Sequence, residues 1–468
     1  MFTKHIHFIG IGGIGMSALA RWCKAHGWRV TGSDAELSPI TAALRREGIR
    51  IARLPKGTAL VVRSKAIPPA HEELRAARKN GIPVLSYPEL LGQITTASAT
   101  TIAVAGTHGK STTTALIALM LTAGGKNPTV IIGTLLREFR NSNFRAGSDN
   151  VLVVEADEYG RAFLHYSPSV AVITNVDREH LDIYPSLRDA QHAFLQFLGR
   201  VRHGGTLVLN RDNAPLRALA AHVRKLAAAH KCKILWYSLK SPIAREVRRA
   251  IRIPGMHNIS NAVAAMAAAR ALGVPKKTAL RALGKYRGAW RRMEYRGSVK
   301  WKVASEKTES SLITHHSSLR TLVFDDYAHH PTEIKATLAA FREKFPRSPL
   351  ICVFQPHQAL RLQKLFSDFV TAFKGADALM LLPTYHVAGR DRINPRFTAK
   401  TLTAAIQRKY PKKPVLYVAN PKKIKSAVSQ LITYHLSLIT PHRSAVLAMM
   451  GAGNIVRYTD TLLRSNRE

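Results

Sequence analysis

Cysteine is scarce in this chain of 468 residues, and the three that occur, Cys23, Cys232 and Cys352, are widely separated. An odd number of distant cysteines offers neither a disulfide framework nor the paired spacing of a zinc site, so a reducing compartment is expected. No apolar run approaches the roughly 18 residues that a membrane-spanning helix requires. The first residues also lack the basic region, apolar core and cleavage site of a signal peptide. These absences predict a cytoplasmic protein that does not enter a membrane.

Acidic residues are also few. The chain contains 29 Asp and Glu against 70 Lys and Arg, which gives a formal net charge of +41. Such an excess attracts polyanions and anionic substrates. One interpretation is a nucleic-acid-binding ATPase, and the other is an enzyme for phosphorylated substrates in an organism with a basic proteome. The basic residues are spread along the chain, and no helix-turn-helix, zinc-finger or RNA-binding aromatic pattern occurs. The second interpretation is favoured, so no specific nucleic-acid partner is expected.

Short apolar runs typical of β-strands alternate with helical patterns along the whole chain. This alternation predicts an α/β protein with parallel sheets covered by helices. Its length suggests about three domains of roughly 100–200 residues each. Three blocks follow: one opens with a glycine loop at Gly10, one with the strand before Gly106, and one near Trp290. The polar stretch Val303–Arg320 is expected to be an exposed loop or a hairpin connection.

A phosphate-binding loop is predicted in the segment 102–114, which reads IAVAGTHGKSTTT. A short apolar strand, a glycine turn and a helix N-terminus bring free N–H groups and the helix dipole to an anion. Gly106 and Gly109 allow close approach, Lys110 places a charge on the terminal phosphates, and the Ser111 hydroxyl can ligate Mg²⁺. The spacing is the short G-x-x-G-K-S form rather than the general motif. A chance Gly-Lys-Ser is the alternative, but its context favours ATP binding.

Acidic and imidazole side chains follow the next two predicted strands. Glu155 begins the sequence EADEY after one strand, and Asp177, Glu179 and His180 follow the other. Ligands of open α/β sheets bind at the carboxyl ends of strands, so these groups could hold Mg²⁺ ions that bridge nucleotide and substrate oxygens. A helix cap or a solvated turn is the alternative for each residue taken singly. Their joint occurrence after a phosphate loop favours the metal interpretation.

A second glycine loop opens the chain, where residues 7–17 read HFIGIGGIGMS and match G-x-G-x-x-G after a strand. A further strand ends at Gly32-Ser33-Asp34, where the ribose-binding acid of a dinucleotide site is expected. The motif alone would suggest a nicotinamide dehydrogenase, but a UDP-sugar presents the same pyrophosphate to a helix N-terminus. One pyrophosphate site beside one ATP site favours a ligase over a dehydrogenase.

The adjacent His329 and His330 suggest a zinc site, but no second cluster has ligand spacing. A substrate-facing turn is the favoured interpretation, because Asp325-Asp-Tyr is expected to end a strand. A helix N-cap at Pro331-Thr-Glu is the alternative.

Further short motifs continue in the same order through the C-terminal half. They are PGMHNISNA at 254–262, WRRME at 290–294, DDYAHHPTE at 325–333, FQPH at 354–357 and GAGN at 451–454. Together with the phosphate loop, EADE at 155–158 and Asn175 with HLD at 180–182, they resemble the Mur ligase family of peptidoglycan synthesis. Within the family, residues 10–16 with Gly32-Ser33-Asp34 resemble two groups, the enzymes that join L-alanine to UDP-N-acetylmuramate and those that attach a tripeptide to it. Residues 354–361 are similar to the first group. The region 163–175 lacks the insertion of enzymes that attach a tripeptide to the same nucleotide sugar, which remain the alternative.

The resemblance implies a three-domain α/β fold. Residues 1–98 would form a Rossmann-like domain for the UDP-sugar, 99–288 a central ATP-binding domain of P-loop ATPase type with a mostly parallel sheet, and 289–468 a C-terminal Rossmann-like domain. It implies ATP and Mg²⁺ as cofactors, and UDP-N-acetylmuramate and L-alanine as substrates joined through an acyl phosphate. A monomer or weak homodimer is expected.

The resemblance also implies roles for individual residues. The ATP-binding set would be Gly106, Thr107, His108, Gly109, Lys110, Ser111, Thr112, Asn258, Asn261, Arg292 and Asp326. Magnesium would be ligated by Ser111, Glu155 and His180. The UDP-sugar would contact Gly10, Gly12, Gly13, Gly15, Met16, Ser17 and Asp34, and the amino acid would contact Tyr327, His329 and Arg361. Catalysis would depend on Lys110, Glu155, His180, Arg292 and His329.

Three features depart from the family pattern. The acids of its usual Glu-x-Asp-His are exchanged here, as Asp177-Arg-Glu-His180. Gln358 stands where some members have arginine, which leaves Arg361 as the expected carboxylate anchor. The stretch 181–200 contains no lysine, so the carbamylated lysine of some members is not predicted.

Overall fold

The computed structural model describes residues 4–303, 317–386, 394–434 and 444–464. Their strands form three separate sheets of five, seven and six strands. The chain divides into two compact units. The first contains residues 1–178, 186–252 and 258–289, and therefore the first two sheets. The second contains residues 179–185, 253–257 and 290–468, and therefore the third sheet.

The N-terminal sheet is entirely parallel, in the order β3-β2-β1-β4-β5. Its central strand β1 is buried along its whole length, as expected for a parallel strand covered on both faces. The elements are β1 His5–Ile9, α1 Ile14–Ala25, β2 Arg29–Ser33, α2 Pro39–Arg46, β3 Arg50–Ile51, β4 Leu60–Arg63, α3 Glu72–Lys79, β5 Val84–Ser86 and α4 Tyr87–Ala97. Helix α2 begins after a Ser38–Thr41 capping box with proline at its first position.

The central sheet has the order β12-β11-β10-β6-β9-β7-β8, and only the edge pair β7–β8 is antiparallel. Its elements are β6 Thr100–Ala105, α5 Lys110–Ala123, β7 Thr129–Leu136, β8 Ser142–Arg145, β9 Val151–Glu155, β10 Val170–Ile173, α6 Leu187–Leu198, β11 Thr206–Asn210, α7 Ala214–Arg217, α8 Ala220–Ala229, β12 Lys233–Tyr237, α9 Pro242–Ala250, α10 Met256–Ala271 and α11 Lys276–Leu283. Because β6 lies between β9 and β10, the phosphate loop and both acidic segments leave the same edge of the sheet.

The C-terminal sheet has the order β13-β14-β18-β15-β16-β17, with one antiparallel pair, β13–β14. Its elements are β13 Glu294–Val303, β14 Ser317–Asp326, α12 Pro331–Lys344, β15 Leu350–Phe354, α13 Ala359–Lys364, α14 Phe366–Ala372, β16 Ala378–Leu381, α15 Ala399–Lys409, β17 Val415–Tyr417, α16 Ile424–Tyr434, β18 Ser444–Met450 and α17 Ile455–Arg464. Two hydrophobic clusters pack on its opposite faces, around Phe354 and around Val353.

The predicted fold class of three α/β domains with mostly parallel sheets is confirmed, whereas the exact domain boundaries remain predictions. The ends of the stretch Val303–Arg320 belong to the antiparallel strands β13 and β14, and residues 304–316 lie outside the described part of the chain. None of the helices in the described ranges combines the length and the apolar character needed to cross a membrane.

Candidate active site

The phosphate loop connects strand β6 to helix α5, which begins at Lys110. Gly106 and Gly109 have φ angles of +134° and +84°, a region that side chains rarely adopt. A Cβ atom at Gly106 would lie 2.0 Å from the Thr174 hydroxyl oxygen, and one at Gly109 would lie 2.3 Å from Asn261 Oδ1. Both glycines are therefore required by backbone conformation and by close packing.

Residues that follow strand β10 bind this loop through several hydrogen bonds. The Thr107 amide donates to the Asn175 carbonyl at 3.1 Å, and the His108 amide donates to Asn175 Oδ1 at 2.9 Å. Thr174 Oγ1 and Asn175 Nδ2 both donate to the His108 carbonyl, at 2.6 and 3.0 Å. The His108 ring lies 3.1 Å from an Asp177 carboxylate oxygen. These protein contacts fix the conformation of the loop.

Lys110 lies across the loop that precedes it. Its ammonium donates to the Gly106 carbonyl and to Glu158 Oε2, each at 2.8 Å. The side chains of Lys110 and Glu158 are only 13% and 3% exposed, so this ion pair is largely removed from water. Burial alone would lower the pKa of Lys110, but Glu158, Asp157 and Glu155 outweigh it and raise that pKa. The lysine is therefore a fixed positive charge at the helix N-terminus.

Ser111 and Glu155 meet at the carboxyl end of the sheet. Ser111 Oγ donates to Glu155 Oε1 at 3.0 Å, and the Gly133 amide on β7 donates to Glu155 Oε2 at 2.8 Å. Burial raises the pKa of Glu155, against the lowering effect of Lys110. A hydroxyl and a carboxylate oxygen this close are ligands that Mg²⁺ prefers, so these two predicted metal residues fit a magnesium ion.

The N-terminal glycine loop is closed by Asp34, whose Oδ2 accepts the Gly12 amide at 2.7 Å. A Cβ at Gly12 would lie 2.8 Å from that oxygen, and one at Gly15 would lie 2.9 Å from the Tyr87 ring. Gly13 precedes helix α1 and has no side chain that could accept hydrogen bonds from the amides of the first turn. The predicted pyrophosphate loop therefore has the compact geometry of its motif.

Asp326 and Arg292 lie in the second unit. Asp326 is buried, with Oδ2 accepting the Met293 amide and Oδ1 the Ala328 amide, each at 2.8 Å. Burial raises the pKa of Asp326. Arg292 lies over the Tyr327 ring at 5.2 Å and remains partly exposed. Asp326 thus organises the segment that carries Arg292.

His329 and His357 are partly buried imidazoles with centroids 6.0 Å apart. His329 Nδ1 lies 2.9 Å from the Tyr327 carbonyl, which assigns the proton to Nδ1 and leaves Nε2 as an acceptor. Burial lowers the pKa of His329 to about 4 and that of His357 to about 3. Both rings are neutral near pH 7, and His357 stacks on Tyr385.

Arg361, the expected carboxylate anchor, is paired with Glu179 within the second unit. Its Nε donates to Glu179 Oε1 at 2.9 Å, its Nη2 donates to the same oxygen, and its Nη1 donates to the His357 carbonyl at 2.8 Å. Burial opposes the charge of Glu179, but Arg361 and neighbouring histidines outweigh it and hold the pKa of Glu179 well below its usual range. His180, with a φ of +51°, follows directly in the same segment.

Several residues of these networks were not selected by sequence reasoning. Glu158 lies inside a quoted motif, and only its distance to Lys110 distinguishes it from the neighbouring acids. Thr174 and Arg291 were also missed. Arg291 donates to the Gly451 and Gly453 carbonyls, and such side-chain to backbone contacts leave no pattern in a sequence. Asn258 and Asn261, which were predicted, are buried on α10.

Most of the chain matches the descriptions of known protein families. The descriptions that match are the Mur ligase family catalytic domain at residues 5–98, the Mur ligase middle domain at 104–269, and the Mur ligase glutamate ligase domain at 313–453. This chain belongs to the Mur ligase family.

The relatives cover the chain from end to end. It is 35% identical to the UDP-N-acetylmuramate–L-alanine ligase of Desulfatibacillum aliphaticivorans, over 98% of each chain. It is 32% identical to the enzyme of the same name from Agathobacter rectalis, over 99% of each. A UDP-N-acetylmuramate–alanine ligase structure from Thermotoga maritima superposes with a TM-score of 0.74 at 25% identity, covering 99% of both chains. A murein peptide ligase from Psychrobacter arcticus shares the fold, with a TM-score of 0.67 at 24% identity over 99% of this chain and 98% of its own.

Proposed function

We propose that this protein joins L-alanine to the lactyl carboxylate of UDP-N-acetylmuramate through an acyl phosphate, with cleavage of ATP to ADP and phosphate, in peptidoglycan synthesis. The observation that carries the proposal is the arrangement around Lys110. A buried ammonium, a hydroxyl and a carboxylate converge at one helix N-terminus, within the same unit as a second glycine loop. Relatives at 32–35% identity over the whole chain carry the name of this activity.

The first chemical step brings two anions together, because the lactyl carboxylate attacks the γ-phosphorus of ATP. The bond from that phosphorus to the bridging oxygen breaks, so ADP leaves and an acyl phosphate forms. Lys110 would leave Glu158 for the β- and γ-phosphates, where its charge offsets the repulsion. The amides of the phosphate loop and the first turn of α5 would hold the remaining phosphate oxygens. Asn258 and Asn261 are proposed to face the adenine. Asp326 is proposed to contact the ribose, and Arg292 is proposed to contact the phosphates.

Ser111 and Glu155 are the residues proposed to hold Mg²⁺, together with His180. The ion would supply charge neutralisation between nucleotide and substrate oxygens. Glu155 is suited to this role because the Gly133 amide fixes one oxygen while the other faces the Ser111 hydroxyl.

The second step requires a neutral amine, which attacks the acyl phosphate and gives a tetrahedral intermediate that collapses to amide and phosphate. Arg361 is proposed to bind the carboxylate of the amino acid, in place of part of its contact with Glu179. His329 is neutral, and its Nε2 can accept a hydrogen bond from the amine. Tyr327 supplies the carbonyl that fixes the His329 ring.

The glycine loop is proposed to hold the UDP portion through Gly10, Gly12, Gly13 and Gly15, with Met16, Ser17 and Asp34 around them. Nucleotide substrates of this kind and the lack of paired cysteines support a cytoplasmic location. A monomer or weak homodimer is our expectation for the oligomeric state. Attachment of a tripeptide to the same nucleotide sugar is the second candidate, supported by the shared fold of the murein peptide ligase.

The test is phosphate release by the purified protein with ATP, Mg²⁺ and UDP-N-acetylmuramate. L-alanine, L-serine, glycine and the tripeptide are supplied in separate reactions. We expect the highest kcat/KM with L-alanine. A preference for the tripeptide would replace the main proposal with the second candidate, and no phosphate release with any acceptor would refute both.

A further inference from the structure

A buried asparagine joins the helix of the first glycine loop to the ATP-binding domain. Asn143 lies on strand β8 and is 0% exposed. Its Nδ2 donates to the Ile14 carbonyl and, at 2.9 Å, to Ser17 Oγ, while its Oδ1 accepts from Arg21 Nη1 at 2.5 Å. All three partners belong to helix α1, so the whole amide of Asn143 is used on that helix.

Arg21 is held in place from its other side. Its Nε and Nη2 donate to the two carboxylate oxygens of Glu47 at 2.8 and 2.7 Å. This bidentate pair fixes the plane of the guanidinium, and Arg21 is itself only 8% exposed. The Nη1 group is therefore presented to Asn143 in one orientation.

The opposite strand of the same hairpin contacts the predicted metal carboxylate. The β7–β8 pairing is irregular between Ile131 and Leu136, and Asn143 lies opposite this irregular segment. Within it, the Gly133 amide donates to Glu155 Oε2 at 2.8 Å. One hairpin thus bonds to the helix behind the first glycine loop and to the carboxylate beside the phosphate loop.

We propose that Asn143 is a positioning residue that sets the nucleotide-sugar loop at a fixed distance from the ATP site. The inference rests on the proposed function, in which the lactyl carboxylate carried by the sugar must meet the γ-phosphorus. Reacting groups must approach to about 3–3.5 Å, and a misplacement of about 1 Å costs roughly 10²-fold in rate. Neither nucleotide needs to contact Asn143 for this effect.

The experiment compares Asn143→Asp with Asn141→Asp. Both changes add one negative charge to the same hairpin, but Asn141 is exposed and its φ of +58° suits aspartate as well as asparagine. At the buried position, Asn143→Asp removes the amide donor and places a carboxylate oxygen against the Ile14 carbonyl. We measure kcat for amide formation, and separately the Kd values for UDP-N-acetylmuramate and for a non-hydrolysable ATP analogue.

We expect Asn143→Asp to lower kcat by about 10²-fold while both Kd values stay within about threefold, and Asn141→Asp to match the wild-type enzyme. If Asn143 only stabilised the fold, a folded variant would not lose kcat while keeping both affinities. If Asn143→Asp fails to fold, Arg21→Lys is the deciding variant, because lysine lacks the planar guanidinium that donates to both oxygens of Glu47 and to Asn143 from separate nitrogens. The expected loss of kcat is then about tenfold.

An unchanged kcat in whichever variant folds would overturn the inference. So would a loss that lies entirely in the Kd for UDP-N-acetylmuramate, because that result would make Asn143 a support of the binding loop alone. A wild-type protein that forms no amide would instead refute the proposed function before any variant is compared.

Discussion

Removing the ammonium of Lys110 is expected to damage stability and activity for different reasons, and a second substitution separates them. Lys110 neutralises Glu158, which is 3% exposed, and donates to the Gly106 carbonyl. Lys110→Ala leaves the Glu158 carboxylate buried without its cation. Lys110→Ala with Glu158→Gln removes both charges and keeps the shape of the second side chain.

The size of the stability effect follows from burial. Breaking a buried ion pair by removing one partner typically costs about 3–5 kcal/mol, because the remaining charge is desolvated. We expect about 3 kcal/mol, at the lower end of that range, because Lys110 keeps some exposure. Glu158→Gln in the Lys110→Ala background should restore most of this loss. It should not restore activity, because the contact with the transferring phosphate is absent in both variants, at a cost of roughly 10²-fold or more in kcat.

The assay combines urea unfolding with phosphate release at saturating ATP. The expected pattern is a low midpoint for the single variant, a recovered midpoint for the double variant, and equally low turnover for both. Near-normal turnover in Lys110→Ala would refute the assignment of the phosphate site. A double variant no more stable than the single one would refute the argument from the buried Glu158 carboxylate.

Three further results are expected. Gly109→Ala should raise the KM for ATP by about tenfold or more, because its Cβ would meet Asn261 Oδ1 at 2.3 Å, whereas Gly125→Ala, with a similar φ of +80° and nothing within 4 Å, should leave that KM unchanged. Glu155→Gln should raise the magnesium concentration for half-maximal activity, and an unchanged magnesium titration would contradict the proposed ligand. His329 has a folded pKa of about 4, below its ordinary 6.5, so it releases its proton on folding and its contribution to stability falls as pH drops from 6.5 towards 4. His329→Gln should therefore reduce the loss of melting temperature between pH 7 and pH 5, which thermal unfolding would measure.

The sequence predicted the fold class because its signals are local. The apolar runs before Gly10 and Gly106 are the buried strands β1 and β6, and the helices after them begin within the glycine motifs, at Ile14 and Lys110. The extended hairpin β13–β14 was less visible, since the polar stretch from Val303 to Arg320 was expected to be a loop or a hairpin connection. Its strands in fact extend to Val303 and resume at Ser317.

Residue types and their spacing predicted only those site residues that belong to recognisable motifs. Ser111 and Glu155 were selected together, and the structure brings them to 3.0 Å. Asn143 could not be predicted, because one asparagine in a polar stretch matches no motif and its partners lie more than a hundred residues earlier in the chain. Long-range hydrogen bonds of this kind depend on how the sheets pack, which a single sequence does not encode in a readable pattern.

The exchange of acids at residues 177 and 179 has a physical account that motif matching could not provide. Asp177 lies against the phosphate loop, because its amide donates to Thr107 Oγ1 at 2.9 Å. A short side chain is therefore enough to reach the His108 ring at 3.1 Å. Glu179 reaches Arg361 Nε at 2.9 Å, and removing one methylene, about 1.5 Å of reach, would exceed hydrogen-bond distance. The two carboxylates therefore serve different partners, and their lengths are fixed by the distances they must cover.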